Sequence, residues 1–169
     1  MYIKSQIINL YEVIFNEIPD SNTQELLISH YKKNNNTFYK IFGDQEKISK
    51  FTSKDLNKDA FEIIHTNEIV EDADSPLAAA KRGKNTSMWM SIDSVKNKKA
   101  DVVISAGNTG ALFVIAKLNL NMIKNIDKPA LSGLWPTKKG MSVVLDLGAN
   151  IECIDINFIY FAIMGSSLF

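Results

Sequence analysis

Apolar residues follow one another along the chain in two alternating rhythms. Short unbroken runs, FYKIF at 38–42, FEIIH at 61–65 and VVI at 102–104, stop at Gly, Thr or Ser, whereas the stretches between them space their apolar positions three and four apart. The first rhythm suits strands buried on both faces, the second helices packed on one side. The pattern therefore predicts a strand ending at Gly43-Asp44, a helix around Gln45 to Phe51, a strand at 61–65 and then an acidic loop. Ser75 can cap the next helix and Pro76 suits its first position. That helix is expected to be long, with Gly83 as a weak point and Met88, Ile92 and Val95 as its buried stripe.

The strand at 102–104 leads through a polar loop, Ser105 to Thr109, into a segment where Ala111, Ile115, Leu118 and Met122 recur at helical spacing. Further strands are predicted in PALSGLW (129–135) and MSVVLDLGAN (141–150), separated by a turn at Lys138-Lys139-Gly140. Both the MSVV run and the final helix, Ile156 to Phe169, read as core elements. Residues 1–37, closing on the polar connector KKNNN, read as an N-terminal helical segment, and 38–169 as an α/β domain. Strands alternating with helices argue for a mainly parallel sheet covered on both faces, with ligands beyond the carboxyl ends of the strands.

Composition narrows the function. With 169 residues, 46% hydrophobic and 22% charged, the chain can bury a real core. Lys+Arg and Asp+Glu balance at 19 each, so no net field draws in nucleic acid, and no nucleic-acid partner is expected. The single cysteine, Cys153, excludes an internal disulfide and fits a reducing compartment. Lys4, Glu12, Asn16 and Glu17 interrupt the N-terminal apolar stretch, which does not read as a signal peptide. The terminal FIYFAIMGSSLF falls short of the roughly 20 residues a membrane span needs. A cytoplasmic location is the expectation.

Two glycine loops carry the candidate chemistry. In SAGNTG (105–110), Gly107 and Gly110 would let the backbone approach an anion at a helix N-terminus, with Ser105, Asn108 and Thr109 as side-chain donors. The same residues would equally serve as an ordinary strand-to-helix turn with a cap. DLGAN (146–150) poses the same choice. Asp146 could hold a cation or orient the loop, and Asn150 could donate to a substrate carbonyl, with Gly148 between them. Lys81, Arg82 and Lys84 could neutralise a phosphate, although a solvated helix face is the commoner meaning of such a run. Cys153 has no histidine near it in sequence, and His30 and His65 lack partners at metal-ligand spacing, so no nucleophile and no metal site is expected.

The segments FGDQEKI (42–48), IIHTNEIVEDADSPLAAAKRGKNTSM (63–88), KKADVVISAGNTGALF (98–113), DKPALSGLWPTKKG (127–140), VVLDLGANIEC (143–153) and FAIMGSS (161–167) together resemble the bacterial phosphate acyltransferase family. That resemblance implies conversion of acyl-acyl carrier protein and inorganic phosphate to acyl phosphate for phospholipid synthesis. It implies a Rossmann-like three-layer α/β/α sandwich, similar to isocitrate and isopropylmalate dehydrogenases, and a cytoplasmic homodimer that touches the membrane at most peripherally. No cofactor is implied. The family's phosphate-loop positions fall on Ser105 to Gly110, its second loop on Asp146 to Asn150, and its basic helix on Lys81 to Ser87, where Gly83 and Asn85-Thr86 depart from a more basic pattern. Nothing in 1–37 matches the family's opening strand and its MGGD-type loop, and the family continues for about another domain beyond the segment that is here Met164-Gly165-Ser166. The first strand is accordingly expected to be missing or replaced, and the fold incomplete. Two other readings stay open: an inactive, degenerate fragment and a non-catalytic α/β binding module.

Overall fold

The computed structural model describes residues 10–14, 28–29, 31–33, 37–105 and 107–168. Two compact units divide the chain, Met1–Leu120 and Asn121–Phe169.

The first unit is built on four strands: β1 (Leu10–Ile14), β2 (Phe38–Gly43), β3 (Phe61–His65) and β4 (Val102–Ser105). All pair in parallel, in the order β3-β2-β1-β4. The centre of the sheet is thus supplied by residues 10–14. This corrects the reading of the N-terminal segment as wholly helical, and of the two outcomes expected for the opening strand, missing or replaced, a strand from residues 10–14 occupies the place. The apolar spacing misled because LYEVI carries a glutamate inside a five-residue run, and a short strand of mixed polarity looks like part of a helix. Residues 28–29 and 31–33 are helical, while the remainder of the helices expected there, and His30, lie outside the described residues.

Alternate residues of β2 serve different cores. Tyr39 and Ile41 pack with Ile48 and Leu56 from α1 (Gln45–Asp55) and its exit, alongside Phe61 and Ile63 of β3. The neighbours Lys40 and Phe42 instead line a cleft of about 510 Å³ with Trp89 and Asp93 of α3 (Ser87–Lys96). Met88 and Ile92 of α3 join Ala79 of α2 (Pro76–Arg82) and Ala111 and Ile115 of α4 (Thr109–Asn119) in the second core, against which Val103 packs. Helices therefore cover the parallel sheet on both faces. Asp44 caps α1 through hydrogen bonds from Glu46 N and Lys47 N, and the Lys47 bond is the main reason its carboxyl titrates below the ordinary aspartate value.

The long helix expected from Ser75 is two helices. α2 stops at Arg82 because Gly83 adopts φ 117° and ψ 179°, a conformation closed to helices, and Thr86 then caps α3 by accepting from Trp89 N. Of the predicted stripe, Leu118 lies on the exposed side of α4, and Met122, also exposed, falls beyond the helix end at Asn119.

The second unit holds β5 (Gly133–Thr137), β6 (Gly140–Val144) and α5 (Asp155–Ser167). β5 and β6 form an antiparallel hairpin, not two strands of a parallel sheet. Only Lys138 and Lys139 separate them, and a parallel pair needs a crossover of about a dozen residues or more. Nor are these elements core. Leu134, Trp135 and Met141 are exposed, and of α5 only Asn157 and Phe161 are buried, with Phe158, Ile159 and Ile163 more than half exposed.

Candidate functional site

The sheet order places a topological switch between β1 and β4. The chain leaves β1 towards β2 and β3 on one side, and β4 returns to the other, so the crevice beyond the strand ends opens between them. Ser105, paired with Ile14, is the last residue of β4, and the first glycine loop starts at that crevice. The loop then enters α4, an eleven-residue helix whose leading amides precede its first intrahelical hydrogen bond.

Most side chains of the loop are committed to shaping it. The Ser105 hydroxyl accepts from Gly107 N at 3.3 Å. Asn108 is the cap of α4: its Oδ1 accepts from Ala111 N at 2.9 Å, and its carbonyl receives Leu112 N. Its Nδ2 faces the other way, towards the carbonyl oxygens of Glu71 (3.4 Å), Asp72 (3.2 Å) and Asp74 (2.9 Å). Thr109 is exposed, at the very start of the helix. At Gly110 the chain passes so close to α2 that a Cβ would lie 2.8 Å from Pro76 Cγ. The side-chain role expected of Asn108 towards an anion is therefore taken up by the chain itself. Thr109 and Gly110 form the first turn of α4, where backbone amides have no intrahelical acceptor.

The basic run splits in the same way. Lys81 and Lys84 are exposed, Lys84 at the mouth of the cleft under α3. Arg82 turns back onto the acidic loop, donating to the Ile69 carbonyl at 3.0 Å and to Asp74 Oδ1 at 2.5 Å. In the sequence Asp74 reads only as part of the Asp74-Ser75-Pro76 helix start, yet its side chain is only 12% exposed and joins Arg82 to the turn beneath Asn108. No motif marks it, because half of its work is done by its backbone carbonyl.

In the second unit Asp146 organises the DLGAN loop. Its Oδ1 accepts from Leu131 N at 3.0 Å, and its Oδ2 from Asn150 N at 2.8 Å and Asn150 Nδ2 at 3.0 Å. Burial alone would raise the carboxyl's pKa. The hydrogen bonds from Asn150, Leu131 and Ala149 outweigh it, and the group lies below the ordinary aspartate value. Asn150 Nδ2 also donates to the Pro129 carbonyl at 2.8 Å, so both of its donor hydrogens are engaged, while Gly148 sits in the exposed turn between the two polar residues. Lys128 Nζ donates to the Glu152 carbonyl, and the buried Asn157 ties α5 back to Asp127 at 3.1 Å. His65 accepts from Gln45 N through Nδ1, a structural role, and Cys153 is a free, half-buried thiol. Among the described residues no cluster of three or more His, Cys, Asp or Glu could hold a metal ion, and no helix is long and apolar enough to cross a membrane.

Residues 23–169 match the sequence profile of the fatty acid synthesis protein family. The chain belongs to that family. Its relatives include the phosphate acyltransferase of Pelagibacter ubique, 70% identical over 140 residues, which are 83% of this chain and 42% of the relative. The phosphate acyltransferase of Bradyrhizobium diazoefficiens is 43% identical over 134 residues (78% and 38%), and that of Parvibaculum lavamentivorans 46% over 129 residues (75% and 36%). The chain thus spans about two-fifths of the length of these curated relatives. Both glycine loops and the α2–α3 segment fall inside the family match.

Proposed function

We propose that this chain acts as a phosphate acyltransferase, transferring an acyl group from acyl-acyl carrier protein to inorganic phosphate to give acyl phosphate and free carrier protein. The observation that carries the reading is the 70% identity to a phosphate acyltransferase, in a chain whose glycine loop opens at the switch point of a parallel sheet. A phosphate oxygen attacks the thioester carbonyl, the C–S bond breaks, and the carrier thiolate leaves as the acyl phosphate forms. Such a reaction needs the phosphate held in line and donors for the oxyanion that develops.

In this proposal the amides of Thr109 and Gly110 and the Thr109 hydroxyl hold the phosphate, while Ser105, Gly107 and Asn108 fix the loop around it. In the second unit the DLGAN loop, with Asn150 locked to Asp146 and Gly148 at its exposed turn, is the proposed acyl-side segment. Lys81 and Lys84 offer exposed positive charge to acidic substrates, whereas Arg82 acts on the loop. The reading extends to a Rossmann-like, dehydrogenase-type sandwich for the whole enzyme, a cytoplasmic homodimer, and peripheral contact with the membrane where phospholipid synthesis takes place. No covalent acyl-enzyme is required. Phosphate-dependent release of carrier thiol from a long-chain acyl-acyl carrier protein, measured on chain shown to be folded by circular dichroism, tests it. Release that disappears without phosphate is expected. A folded chain that releases no thiol at any phosphate concentration overturns the proposal for this chain.

A further inference from the structure

We propose that Asp74 and Arg82 are positioning residues for the anion loop, setting its shape from behind through the side-chain amide of Asn108. This rests on the reading of the α4 N-terminus as the phosphate site.

The arrangement explains why an asparagine stands at 108. Ser, Thr or Asp would cap α4 equally well. Only a side-chain amide places an acceptor towards Ala111 N and a donor towards three carbonyls at once. Those carbonyls, from Glu71, Asp72 and Asp74, converge because the turn that carries them is closed. Asp74 N donates to the Glu71 carbonyl at 3.0 Å, and Glu71 N donates to Asp74 Oδ2 at 2.8 Å. The other carboxylate oxygen takes the Arg82 guanidinium, whose second arm reaches the Ile69 carbonyl, so one arginine staples both ends of the acidic loop to α2. The chain of contact runs from Arg82 through Asp74 to Asn108 and so to the first turn of α4. Removing the Asp74 carboxylate leaves its carbonyl in the chain but releases the turn that aims it. Asn108 then loses its counter-anchor, and the amides of Thr109 and Gly110 lose their fixed direction.

Titration of the chain with inorganic phosphate, followed by amide nuclear magnetic resonance, tests the inference. In the unaltered chain the Thr109 and Gly110 signals should move with phosphate. In Asp74→Ala, and in Arg82→Gln as a milder variant should the first not fold, the midpoint should rise roughly tenfold or more, since an ångström-scale misplacement can cost on the order of 10²-fold. The Asn108 side-chain amide signal should shift as well, in the absence of phosphate. The double variant should be no worse than Asp74→Ala alone, because the two act in series. Unmoved Thr109 and Gly110 signals in the unaltered chain would overturn the phosphate reading and the inference with it. Normal phosphate response in folded Asp74→Ala or Arg82→Gln would overturn the inference alone.

Discussion

The Asn108 amide is held at both ends: Nδ2 donates to the Asp74 carbonyl at 2.9 Å while Oδ1 accepts from Ala111 N, also at 2.9 Å. One side chain thereby joins an acidic turn to the start of a helix that follows it by more than thirty residues.

Substitutions at 108 separate the two bonds. Asn108→Ser keeps a cap and should cost about 1 kcal/mol, the worth of the lost donor. Asn108→Ala loses both functions and should cost about 2 kcal/mol. Asn108→Asp caps well but points a second acceptor at three carbonyls, so it should destabilise as much as Ser or more. Denaturant unfolding ranks them, and an Asp variant as stable as the parent would show that the bonds to residues 71–74 contribute nothing.

Gly110 is needed for room. A Cβ there would stand 2.8 Å from Pro76 Cγ, so Gly110→Ala should cost about 1–3 kcal/mol by overpacking. Pro76→Ala removes the opposing atom. In that background Gly110→Ala should cost less or even stabilise, and equal costs in both backgrounds by thermal unfolding would refute the steric account.

At Gly83 a Cβ would meet nothing within 4 Å, and the constraint is the backbone, φ 117°. Gly83→Ala should therefore destabilise the first unit by about 1–3 kcal/mol although it touches nothing. Amide exchange should show the fastest opening at the α2–α3 junction; a variant as stable as the parent would place the break elsewhere.

Acid should loosen the second unit through Asp146. Its folded pKa lies below its unfolded value, so the stability it contributes is complete above the unfolded value near 4 and disappears as pH falls through the folded one. Asp146→Asn should weaken the unit at neutral pH by roughly 1–2 kcal/mol and flatten its stability below pH 4. Chemical shifts of Leu131 and Asn150 followed against pH report the change, and an Asp146→Asn protein with the parent's acid profile would assign the dependence to other carboxylates.

Several elements were legible because short-range chemistry fixes them. Ser75-Pro76 starts a helix where expected, β2, β3 and β4 begin and end near their apolar runs, and Asp44 and Gly43 mark a turn. The failures share one cause, distance along the chain. Whether LYEVI joins a sheet depends on partners at 38–42 and 102–105, and whether MSVV is buried depends on what packs over it. Asn108 could be recognised as polar at a helix start, but its second set of bonds runs to residues 71–74, beyond any local pattern. At the candidate site the same division holds: glycines mark the loops in the sequence, whereas the side-chain and main-chain bonds of Asp74 join residues 69–82 to Asn108 and leave no signature in composition or spacing.

Because β1 lies between β2 and β4, it acquires its second neighbour only about ninety residues after it is made. Tyr11 must wait for Val102. Long-range pairing of this kind slows folding, since loop closure precedes the contacts that reward it. A nascent chain would hold β3, β2 and β1 as a three-strand sheet with β1 as its open edge until β4 emerges, and that interval is where chaperone dependence and aggregation during expression should concentrate.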